Sequence, residues 1–156
     1  MQVVIHMLLA IGLVAALGIA IWTDLRARII PNWLNAGIAL SAPLWWWSIG
    51  LSPWPGAAIQ LGLAAIALAL FVAAFAAGAM GGGDVKLIAA LGLWLLPPDF
   101  LRMLVWMSVA GGIVTVATLA WHRLARAEGR PEIPYGVAIA CATVPIFAER
   151  YLYQFG

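Results

Sequence analysis

Residues 57–79 read AAIQLGLAAIALALFVAAFAAGA, and residues 80–86, which follow directly, read MGGGDVK. The first stretch carries no charge and a single amide, Gln60. About 20 consecutive apolar residues cross a hydrocarbon core of about 30 Å, so this stretch is read as a spanning helix. The second stretch breaks that helix with three glycines, then sets Asp84 two residues before Lys86. A carboxylate placed at the end of a spanning helix is either a cap or a working group.

The rest of the chain supports the same fold class. Of 156 residues, 65% are hydrophobic and 9% charged, with a mean hydropathy of +1.04. Soluble domains carry about 25% charged residues. The expected fold is therefore all-α, a polytopic membrane helix bundle of about six transmembrane helices, in one domain over residues 1–156. The net charge of +2 says little, because membrane proteins sort charge by side. The single cysteine, Cys141, forms no internal disulfide and is expected to pack as a small apolar residue. No lysine or arginine precedes the apolar run 3–22, which is of spanning length, so it reads as a retained first helix rather than a signal peptide.

Further spans are expected at 33–51, 57–79 and 104–121, with a shorter one at 135–148 that contains Pro145. Between them, 85–96 is bounded by glycines and by Pro97-Pro98. A helix of that length rises only about 18 Å, so this fourth span is short. Irregular backbone beside it survives at membrane depth only when buried in protein or facing a wet cavity. Alternate loops place Arg26, Arg28, Lys86, Arg123, Arg126 and Arg130 on one side, against Arg102 and Arg150 on the other. The positive-inside rule assigns the first set to the cytoplasm and both termini to the outside. Trp45, Trp46, Trp47 and Trp54 then fall at the outer boundary, where an aromatic belt is expected. Ala65, Ala69, Ala73 and Ala77 form a stripe that would let another helix approach closely.

The chain has six acidic residues. Asp99, Glu128, Glu132 and Glu149 lie in loops or near a helix end, where solvation accounts for them. Asp24 and Asp84 adjoin long apolar runs on one side of the bundle. Read separately, Asp24 partners the arginines that end the first span, and Asp84 caps the fourth helix. Read together, two carboxyls that converge on one water share a proton and act as base and acid. Neither a Ser-His nor a Cys-His arrangement competes with them, and no cluster of metal ligands stands out. His6 and His122 read as structural or solvated.

These residues resemble a family. Gly81-Gly82-Gly83-Asp84 resembles the GxGD motif of intramembrane aspartyl proteases. GGGDVKL and DLRARIIPN are similar to the two signature segments of the type IV prepilin peptidases, and IPYGVAIA (133–140) to the segment that opens that family's last helix. The resemblance implies an aspartic-type hydrolase that removes the short basic leader of prepilins at the cytoplasmic face of the inner membrane. It implies Asp24 and Asp84 as catalytic residues, with Gly81, Gly82, Gly83 and Lys86 as the loop approached by substrate. Larger members carry a cysteine-rich, zinc-binding insertion and methylate the new N-terminus. This sequence has one cysteine and no such insertion, so no metal, cofactor or methyltransferase activity is expected. Its size resembles the minimal peptidases of tight-adherence (Flp) pilus systems, or the archaeal preflagellin peptidases. The expected partners are a prepilin precursor and the lipid bilayer, with no nucleic acid; a homo-oligomer stays open. Two other readings also stay open: a small transporter or channel subunit with proton-relaying aspartates, and a pilus-assembly scaffold in which both aspartates are dispensable.

Overall fold

The computed structural model describes residues 2–124 and 133–155, with side chains described up to residue 150. Arg126, Glu128, Arg130 and Glu132 lie outside the described residues. Six helices follow one another: α1 (Gln2–Ala27), α2 (Asn32–Ser48), α3 (Ala58–Ala76), α4 (Gly82–Gly92), α5 (Pro97–Leu124) and α6 (Tyr135–Phe155), with no strand among the described residues. Helices α1 and α5, and α3 with the wide turn Pro53–Ala57 before it, are long and apolar enough to cross a membrane. Large apolar side chains such as Ile11, Leu40, Ile66 and Ile113 stand exposed on the outside of the bundle, as lipid requires.

The helix starts follow local chemistry. Pro31, extended at φ −62 and ψ 141, precedes α2. Ser52 opens the turn before α3 by accepting the Gly56 N–H at 3.3 Å. Pro97 and Pro98 begin α5 rather than ending α4, because a first turn has no use for their missing donors. Helix α5 therefore starts seven residues ahead of the expected position 104.

Helix α4 is the centre of the fold. It packs against α2, α3, α5 and α6, while α1 lies between α2 and α6. Leu87, Ile88 and Leu91 are fully buried. Its 11 residues rise only about 16 Å, so the carbonyls of residues 93–95, just past its end, fall at membrane depth. Their donors come from neighbouring helices. Leu93 O accepts from Trp46 Nε1 at 2.6 Å, Trp94 O from Trp45 Nε1 at 3.1 Å, and Leu95 O from Gln60 Nε2 at 2.9 Å. Each such carbonyl left unpaired would cost about 1–3 kcal/mol, and more in hydrocarbon.

This arrangement corrects the aromatic-belt expectation. Trp47 and Trp54 are exposed, but Trp45 is core: it stacks on Trp94 with centroids 5.0 Å apart and on His6 at 4.7 Å. His6 is structural, with Nδ1 3.2 Å from Ser48 Oγ. The expected alanine stripe is also displaced. Ala65, Ala69, Ala73 and Ala77 are exposed, and the close approach is made by Ala64. A Cβ on Gly92 would stand 3.2 Å from Ala64 Cα. Gln60 sets the face: it must turn inward to reach α4, and Ala64 and Ala67 turn with it. Cys141 is exposed beside α5 rather than packed inside. At the end of the bundle away from the glycines, Asp99 pairs with Arg150 and Arg102 with Glu149 at 2.8 Å, so these charges are mutual partners.

Candidate active site

The C-terminal end of α1 and the N-terminal ends of α4 and α6 meet at one end of the bundle around a cavity of about 510 Å³. Asp24 and Asp84 both line it, with Arg28, Gly81 and Tyr135 among the other walls. Both aspartates are buried, 5% and 7% exposed.

Asp24 stands in the last turn of α1, where the helix dipole disfavours a carboxylate. Its compensation comes from α6. The N–H of Val137, in the first turn of α6, donates to Asp24 Oδ2 at 3.3 Å. The backbone of Asp24 is fixed as well, since its carbonyl accepts the Arg28 N–H at 3.0 Å. Arg28 adopts φ 55, the left-handed conformation that glycine normally supplies just past a helix end.

Asp84 is the third residue of α4, at the favourable end of that helix. Its Oδ2 accepts the Gly81 N–H at 3.2 Å. Its Oδ1 is buried and has no hydrogen-bond partner among the described residues. The capping reading of Asp84 is thus realised by one oxygen only.

The three glycines do three different things. Gly81 is the extended residue before α4, and a Cβ there would stand 2.9 Å from Asp84 Oδ2. Gly82 and Gly83 are helical, which corrects their expected place in a loop. A Cβ on Gly83 would meet Ile30 at 3.1 Å from Cβ and 3.2 Å from the carbonyl oxygen, whereas one on Gly82 would meet only Phe75, at 3.4 Å. The left-handed turn before α4 falls at Gly78, with φ 72.

Lys86 does not line the cavity. Its Nζ donates to Asn32 Oδ1 at 2.8 Å, joining α4 to the first residue of α2. One turn further along α2, Asn35 Nδ2 donates to Gly83 O at 3.1 Å. The lysine and asparagine of the two signature segments are therefore bonded to each other. Asp24, Asp84 and Gly81 are brought together, while Gly82, Gly83 and Lys86 form the support behind Asp84.

Sequence reasoning gave no site role to Asn35, nor to Gly136 and Val137 individually within the segment 133–140, and it read Arg28 only as a charge at the end of the first span. The signals were present: two amides three residues apart at the start of an apolar helix, and a glycine opening the last one. A Cβ on Gly136 would stand 2.8 Å from Asp24 Oδ2 and 2.9 Å from Ile30 Cδ1. Among the described residues, no group of three or more His, Cys, Asp or Glu is placed to hold a metal ion.

The model of the Type IV leader peptidase family (Peptidase A24) matches residues 11–116, a span that contains both aspartates and all three glycines. No curated protein and no solved structure matches the chain. The matched span covers more than half of the sequence, and the chain belongs to the type IV leader peptidase family.

Proposed function

We propose that this membrane peptidase is of the aspartic type, with Asp24 and Asp84 as its catalytic pair, one domain over residues 1–156, and Flp-type prepilins as its substrates. The observation that carries the reading is that both buried carboxyls line one cavity, each with Oδ2 on a backbone N–H. The ionised partner takes a proton from water as the water oxygen attacks the scissile carbonyl carbon. The protonated partner donates to the carbonyl oxygen. Collapse of the tetrahedral intermediate breaks the C–N bond, and the leaving amine takes the transferred proton. Of the two Asp84 oxygens, Oδ1 has no hydrogen-bond partner among the described residues; it is covered, so water or substrate would reach it only after the cavity wall shifts.

The cavity end is assigned to the cytoplasm, and both termini to the outside of the inner membrane. Arg26, Arg28, Lys86 and Arg123 belong to the cavity end, and Arg102 and Arg150 to the other. A basic leader held at the cytoplasmic surface would enter the cavity with its apolar helix still in the bilayer. The proton-relay alternative calls for a polar path through the whole bundle. Above the cavity, Leu13, Leu17, Leu87, Ile88 and Leu91 are buried in a continuous apolar core, which disfavours such a path.

Co-expression with a tagged Flp-type prepilin tests the reading: the precursor should shorten by its leader. Its persistence at full length, with the peptidase in the membrane, would reject the substrate class.

A further inference from the structure

We propose that the first turn of α6, through Gly136 and Val137, is the positioning device for the Asp24 carboxylate. The inference rests on the catalytic reading of Asp24. It concerns residues beyond the span matched by the family.

Two contacts define the device. Val137 N–H holds Asp24 Oδ2 at 3.3 Å, from a helix more than a hundred residues away in sequence. The absence of a side chain at Gly136 lets the carboxyl lie there, because a Cβ would stand 2.8 Å from Oδ2 and 3.1 Å from Cγ. Real Cβ atoms do not stand that close. An aspartate has only two side-chain torsions, so relief means swinging the carboxyl off Val137 and out of its place in the cavity. Gly136 is helical and needs no special backbone angle, so conformational freedom does not explain it. Space for Asp24 does.

Gly81 supplies the comparison within the same molecule. It stands just outside α4, its N–H donates to Asp84 Oδ2, and a Cβ there would stand 2.9 Å from that oxygen. Each carboxyl thus rests against a glycine at a helix start, with a backbone donor from that turn. For Asp84 the turn is local. For Asp24 it is borrowed from the last helix, so correct docking of α6 is a condition of an assembled site.

The test is a Gly136→Ala variant of the full chain, assayed in detergent on a purified Flp-type prepilin. The rate constant kcat should fall about 100-fold, the scale set by misplacing a catalytic group by about 1 Å, with KM unchanged. Ile30 Cδ1 would also be crowded, at 2.9 Å, so the Ile30→Val/Gly136→Ala double variant separates the two contacts. Relief at Ile30 restores any packing lost while leaving the Asp24 clash. A double variant that accumulates in the membrane and still cuts about 100-fold slowly supports the device. Recovery of the normal kcat in the double variant, or normal kcat in Gly136→Ala alone, overturns it. Asp24→Asn on the same gel keeps the two claims apart. If that variant is inactive while Gly136→Ala is normal, only the positioning role fails; if it cuts normally, the catalytic reading fails and the device with it.

Discussion

Alanine at each of Gly81, Gly82 and Gly83 should give three different results. At Gly83, the new methyl would lie 3.1–3.3 Å from three atoms of Ile30, two of them backbone. Backbone yields poorly, and overpacking of this kind costs about 1–3 kcal/mol. Against that stands a helix-propensity gain of about 1 kcal/mol, since Gly83 is helical. The net loss of stability is then about 0–2 kcal/mol. The first turn of α4 must also move away from the α1–α2 connection, stretching the 3.1 Å bond from Asn35 to Gly83 O and carrying Asp84 with it. Cutting should fall about 100-fold, as for other small misplacements of a catalytic group. At Gly81, extended at φ −76 and ψ 147, alanine brings no helix gain and drives Asp84 Oδ2 off its N–H donor. A similar loss of cutting is expected. At Gly82 the nearest atom is a Phe75 ring carbon at 3.4 Å, an ordinary contact. Alanine there should cut normally and melt slightly higher, by the equivalent of about 0.5–1 kcal/mol. The assay is initial-rate cleavage of a prepilin by each purified variant, with thermal melting in detergent beside it. Equal losses at all three positions would mean that the glycines serve loop flexibility, and the steric reasoning would be wrong. The open middle position of the GxGD pattern is what this geometry predicts.

Other outcomes follow from single contacts. Asn35→Ala removes the donor to Gly83 O and should lower stability by about 1–3 kcal/mol on a denaturation curve. Trp45→Phe keeps an aromatic ring but leaves Trp94 O without its indole donor, and a loss of about 1–3 kcal/mol is expected. Arg28→Gly relieves a left-handed residue at φ 55 and should raise melting by the equivalent of about 1 kcal/mol. Glu149→Gln breaks an exposed pair with Arg102 at the far end and should change stability by less than about 1 kcal/mol, with cutting unaffected.

Composition and apolar run length made the membrane bundle legible, and loop charge put Asp24 and Asp84 at one end of it. The misread features share one physical cause. Where a helix stops at membrane depth, the turn that follows it must find donors for its carbonyls, and for residues 93–95 those donors are Trp45, Trp46 and Gln60. That demand turns two tryptophans inward from the expected belt and rotates α3 so that Ala64, not Ala65, meets α4. Hydropathy cannot register it, because indole and alanine look equally apolar whether they face lipid or a neighbouring helix. Lys86 was equally opaque for want of a partner. Its bond to Asn32 spans 54 residues and depends on how α2 and α4 pack. Gly136 lay in a recognisable segment, but its role depends on an oxygen contributed by α1.

The central claim is that Asp24 and Asp84 act as a unit on one water. The direct measurement is kcat for purified Asp24→Asn, Asp84→Asn and the double variant on one prepilin, with each variant's membrane insertion and melting verified. The account predicts that each single substitution abolishes cutting and that the double is no slower than either, because groups that act together lose their effect together. Normal cutting by either single variant would contradict it.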